Sequence, residues 1–103
     1  VGDAADGIVG ASVSDDTDNM TYNITRGQSH TLLAAAELAV RIAGSGTIRV
    51  NERDDNFPSR GQLNNVRAQS DFGFNPTTDI EQGFELYYDW LINNPIYRIK
   101  ETV

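Results

Sequence analysis

The chain has 103 residues, 39% of them apolar and 22% charged, and a formal net charge of −7. A domain of this size buries roughly two thirds of the surface that its unfolded chain exposes, so the core is thin. The acidic balance disfavours adhesion to nucleic acid or an anionic membrane, which carry the same sign, and the lack of cysteine removes disulfide and thiolate chemistry.

No apolar run has the length of a membrane span, and the start lacks the pattern of a signal peptide. A cytoplasmic protein with neither nucleic-acid nor membrane partners is therefore expected. The sequence opens on Val1 in mid-pattern, which reads as a processed or truncated product.

Ala4, Ile8 and Ala11 or Ser12 recur at helical spacing and predict a short helix over Asp3 to Ser12, weakened by Gly7 and Gly10. The polar run Ser14 to Asn19 is a loop; it lacks the glycine and final glutamate of a calcium-binding loop, and no metal site is expected there. Met20 to Ile24 alternates as a strand does, Thr25 to Gln28 turns, and Ser29 is the candidate cap of a helix burying Leu32, Leu33, Ala36, Val40 and Ala43. Gly44-Ser45-Gly46 ends that helix; because the glycines follow a helix and precede a strand, they are not a dinucleotide loop.

Ile48 to Asn51 alternates as a second strand, followed by a long polar connection from Glu52 to Gly61 of the kind that carries function. Asn64 is the candidate cap of a short helix, with Leu63 stapling onto Ala68, and Gly73 stops it. The last helix opens with a capping box from Thr78 to Glu81 and turns Ile80, Phe84, Tyr87, Tyr88 and Leu91 to one side. Tyr87, Tyr88 and Trp90 are assigned to the core. Asn93-Asn94-Pro95 ends this helix and leaves Ile96 to Val103 as a partly ordered tail.

Arg49, Arg53, Arg60 and Arg67 cluster in the middle of an otherwise acidic chain. They form either an anion-facing surface or ion pairs with Glu52, Asp54, Asp55 and Asp71. His30, the one histidine, has no orienting partner nearby in sequence and reads as a surface residue.

Val1-Gly2-Asp3-Ala4-Ala5-Asp6-Gly7-Ile8-Val9, Thr21-Tyr22-Asn23-Ile24 with Gly27 and Ser29, Pro58, Arg60-Gly61, Leu63, Ala68, Phe72-Gly73-Phe74, Pro76, Ile80-Glu81-Gln82-Gly83 and Tyr88-x-Trp90 occur in one order. In that order the chain resembles the C-terminal part of the NAD-dependent epimerases and dehydratases, extended short-chain dehydrogenases acting on nucleotide sugars. The resemblance implies an α/β fragment of an extended Rossmann-type enzyme, with two or three short strands and about four helices. It makes residues 1–103 a single substrate-binding subdomain without the dinucleotide-binding part.

The resemblance further implies that Arg53, the closest positional match, or Arg60 of the Arg-Gly element as the second candidate holds the nucleotide diphosphate, by the planar fork that a guanidinium presents to phosphate oxygens. Asn64 stands where many relatives carry aspartate or asparagine, as a ligand contact or as a helix cap. NAD belongs to the intact parent and none is expected on this chain. The glycine-rich loop and the catalytic tyrosine and lysine are not represented, and Tyr97 and Lys100 are three apart rather than four. No catalytic, cofactor-binding or metal-binding residue is therefore assigned. Expected partners are a nucleotide sugar, the remainder of the parent enzyme, and a second copy through exposed apolar faces. The other expectation is a free-standing interaction module without catalysis.

Overall fold

The computed structural model describes residues 1–97, which form α1 (Gly2–Val13), α2 (Leu32–Ala43), α3 (Val66–Phe72), α4 (Ile80–Asn93) and a 3₁₀ turn at Pro95–Tyr97. The tail expected to be partly ordered lies, from residue 98 on, outside the described residues, as does Lys100. Among the described residues there is no strand and no sheet. The α/β expectation is thereby corrected: the regular structure of the described residues is all-helical.

A strand exists only with a partner to complete its ladder, and neither alternating segment has one. Along residues 20–25 side chains meet the backbone instead, with Arg67 Nη1 donating to Thr21 O (3.1 Å) and Asn65 Nδ2 to Thr25 O (2.8 Å). In the second segment Val50 is 76% exposed, so its alternation marks no buried face.

Two compact units form, one from Val1–Ser29 with Arg53–Thr78 and the other from His30–Glu52 with the chain from Asp79 onward. In the first, α1 packs on α3 through its glycines. A Cβ at Gly7 would lie 2.7 Å from Ile24 Cγ2 and 3.0 Å from Phe74 Cε2, and one at Gly10 would lie 3.0 Å from Phe72 Cδ2. The expected Ala4/Ile8 face is not the packed one; Ile8 is 61% exposed while Gly7 is buried. The glycines lower helix propensity but let aromatic rings approach the helix backbone.

Helix α3 ends at Gly73, whose φ of 70° is left-handed, and Phe74 N then donates back to Ala68 O (3.2 Å). This reversal lays Phe74 into the small core, where Ala68 and Phe74 are the buried apolar residues. Phe72 meets Tyr22 edge-on at 5.1 Å, and the Tyr22 hydroxyl donates to Asp71 Oδ2 (2.6 Å).

The second unit is the pair α2 and α4. Its N-caps fall beside the expected ones. Thr31, not Ser29, accepts from Ala34 N (3.0 Å), and Asp79, not Thr78, accepts from Gln82 N (2.8 Å). Gly44 closes α2 at φ 77°, as its position after the periodic run predicts. Ala39, Ile42 and Ala43 face Phe84, Tyr87, Tyr88 and Leu91 across an open groove of about 270 Å³.

No residue of either helix is fully buried. Leu32 is 90% exposed, and Tyr87 and Trp90 are 59% and 46% exposed. The core assignment of those two aromatics is therefore corrected: they stack on each other at 6.2 Å with planes 9° apart. Among the described residues no helix is long and apolar enough to cross a membrane.

Candidate functional site

The polar connection between α2 and α3 carries both arginines singled out in sequence, and it is exposed from Arg49 to Asn64. Its first half closes on itself. Phe57 N donates to Asp54 O (3.1 Å), Asp54 Oδ1 accepts from Asn56 N (2.9 Å), and Arg53 Nη2 donates to Phe57 O (3.2 Å). Arg53 thus helps to shape the turn that it flanks, while Arg60 lies exposed farther along the connection.

Asn64 turns its side chain inward along the chain, its Oδ1 accepting from Val66 N (2.7 Å), and its carbonyl accepts from Asn23 Nδ2 (3.1 Å). Of the other clustered arginines, Arg67 is engaged on Thr21 O and Arg49 belongs to the second unit. Among the described residues none of these arginines is ion-paired with Glu52, Asp54, Asp55 or Asp71.

The residue at the centre of this region is one that sequence reasoning passed over. Asn65 is 6% exposed, and its amide joins two stretches 40 positions apart, with Nδ2 on Thr25 O (2.8 Å) and Oδ1 accepting from Gln69 Nε2 (2.7 Å). Gly27 sits over it at φ 78°, where a Cβ would come 3.4 Å from Asn65 Oδ1. Beside Asn65, Gln62 Oε1 accepts from Ser29 N (3.0 Å). The signal for this network is the Asn64-Asn65 doublet; capping logic accounts for one asparagine at a helix start and leaves the second over.

Gly27, Gln62, Leu63, Asn64, Asn65 and Val66 line a shallow cleft of about 260 Å³. Its amides donate and accept hydrogen bonds without charge, which suits a neutral polar ligand group; Arg60 precedes Gln62 by two positions in the sequence and is not among the lining residues. Among the described residues no three His, Asp or Glu side chains are grouped to hold a metal ion, and His30 is exposed.

Two titratable groups of this unit are displaced from their ordinary values. Asp3 is lowered, first by the backbone N–H of Thr78 and then by that of Thr77, whose bonds to its carboxylate are 2.8 Å and 3.1 Å. The Tyr22 hydroxyl is raised to about 12, chiefly because it donates to Asp71. Both groups fasten the unit, and neither is a lining residue of the cleft.

The chain was compared with protein-family models, curated proteins and solved structures, and none matches.

Proposed function

We propose that this chain is the C-terminal, nucleotide-sugar-binding portion of an NAD-dependent epimerase or dehydratase, with Arg60 on the diphosphate. One observation carries the reading: several residues behind the resemblance, far apart in the sequence, are neighbours, with Tyr22 meeting Phe72, and Ile24 and Phe74 flanking Gly7, all in the unit that also contains Arg60. A set of motif residues that pack together is what a retained binding unit requires.

In the intact enzyme NAD supplies hydride exchange, and this chain's contribution is to bind and orient the substrate. Of the two arginines Arg60 is the stronger candidate, because Arg53 is engaged on its own turn. Asn64 is proposed as a secondary contact through its position in the cleft. Calorimetric titration of the full-length parent tests this. Arg60→Ala is expected to weaken nucleotide-sugar binding by about tenfold or more, and Arg53→Ala by less. Unchanged affinity in both variants would rule the assignment out. The chain alone is expected to show no turnover with NAD.

A second reading, that of an interaction module, is favoured by the α2–α4 groove and by the exposure of Leu32 and Leu33. Light scattering separates the two, since a discrete dimer of the chain alone favours the module.

A further inference from the structure

We infer that Gln62 is a positioning residue for Arg60, fixing the second half of the exposed connection against the turn at 25–29. The functional consequence rests on the diphosphate reading given above; the positioning itself rests on geometry. The connection has no regular structure from Glu52 to Asn64, so only side-chain bonds to other stretches can fix its place. The closure of Asp54 to Phe57 by Arg53 ties the first half to itself alone. The second half is tied outward by Ser29 N on Gln62 Oε1, Asn23 Nδ2 on Asn64 O and Asn65 Nδ2 on Thr25 O.

Gln62 provides the anchor nearest to Arg60, two residues away. With that anchor the Arg60 Cα lies within about 7 Å of a residue that is itself tied down. Without it the next tied residue is Asn64, up to about 14 Å away along an extended chain. The space open to Arg60 then grows, and its effective concentration at the ligand falls. The net worth of one such hydrogen bond corresponds to a factor of roughly two to twelve.

The role at position 62 is that of an acceptor, so a carboxylate can replace the amide while a methyl group cannot. Gln62 is also exposed, so its truncation removes little packing and the variant is expected to fold.

The experiment uses the full-length protein carrying Gln62→Ala, Gln62→Glu, Arg60→Ala and the pair Gln62→Ala/Arg60→Ala. Hydrogen exchange by mass spectrometry is expected to rise at Ser29, whose amide donates to Gln62, in Gln62→Ala, and to return there in Gln62→Glu. Unchanged exchange in Gln62→Ala would overturn the clasp, and failure of Gln62→Glu to restore it would overturn the acceptor role.

Calorimetry with UDP-glucose and with dTDP-glucose is expected to show a weakening of roughly twofold to twelvefold by Gln62→Ala, and none once Arg60 is already alanine. Equal weakening in both backgrounds would show that Gln62 does not act through Arg60. Should Arg60→Ala alone leave affinity unchanged, or neither sugar bind, the diphosphate reading fails, and the exchange result still decides the clasp.

Discussion

The unit formed by Val1–Ser29 and Arg53–Thr78 and the α2–α4 pair are stabilised by different means. The first buries Asn65 with its hydrogen bonds made, sets two glycines against aromatic rings and clips Thr77 and Thr78 onto Asp3. The second buries no residue fully and relies on an open apolar groove with an ion pair on its surface. Contacts of the first kind tolerate few substitutes, because each depends on a particular shape or donor. Contacts of the second kind accept any apolar side chain of about the right size. The candidate binding residues lie in the unit whose geometry is specified residue by residue.

The largest effect that would sharpen this contrast is expected from Phe74→Ala. Phe74 is 6% exposed and closes the core over Ala68 and Gly7. Its truncation is expected to cost about 3 kcal/mol or more, read as a lower urea midpoint and faster amide exchange in α1 and α3. A cost below about 1 kcal/mol would mean that the first unit is as loosely packed as the second.

Gly7→Ala comes next, and here two effects oppose each other. Alanine favours the helix by about 1 kcal/mol, but its Cβ would stand 2.7 Å from Ile24 Cγ2, and a β-branched neighbour has few rotamers to escape into. The clash is expected to win, with a net loss of about 1–2 kcal/mol. Gly2→Ala, with nothing within 4 Å, is expected to be neutral or stabilising. Equal responses at the two glycines would show that α1 does not pack through its glycine face.

The same contrast explains what could be read from the sequence. All four helices were legible, since periodicity and glycine stops are local signals. The sheet was misread for the same reason: alternation in Met20–Ile24 and Ile48–Asn51 reports a period, whereas a strand needs a partner that lies elsewhere in the chain. The packed face of α1 was missed because glycine carries no apolar signal, although Gly7 and Gly10 share a face at i, i+3. Arg53 and Arg60 could be found by their charge, but the bond that turns Arg53 onto Phe57 O depends on the fold of the loop. Tyr87 and Trp90 follow helical spacing, and only the position of α2 decides which aromatics it covers.

The first unit also predicts pH dependence. Tyr22 is raised from its ordinary 10.0 to about 12, so the folded state holds its proton more tightly than the unfolded chain. Its contribution is complete below pH 10 and is lost as pH rises from about 10 to 12. Asp3 has the opposite sign. Its lowered value gives a contribution present above about 3.8 and lost as pH falls through the folded value. Tyr22→Phe is expected to remove the alkaline slope in a series of urea melts, and Asp3→Asn to flatten the acid limb. Slopes unchanged in both variants would detach these bonds from stability.

The smallest effect is expected from Arg41→Ala in the second unit. Arg41 Nη2 and Glu81 Oε1 are 2.7 Å apart, but their side chains are 62% and 53% exposed. Water competes for both charges and salt screens them, so a cost between zero and about 0.5 kcal/mol is expected, shrinking further in 1 M salt. The pair fixes the register of two long side chains, and the entropy lost in doing so offsets most of the attraction. A double-mutant cycle with Glu81→Ala isolates the pairwise contribution from the loss of the Arg41 stem. A coupling above about 1 kcal/mol would mean that α2 and α4 are joined by a particular contact rather than by a groove of interchangeable apolar groups, and the distinction between the two units would no longer hold.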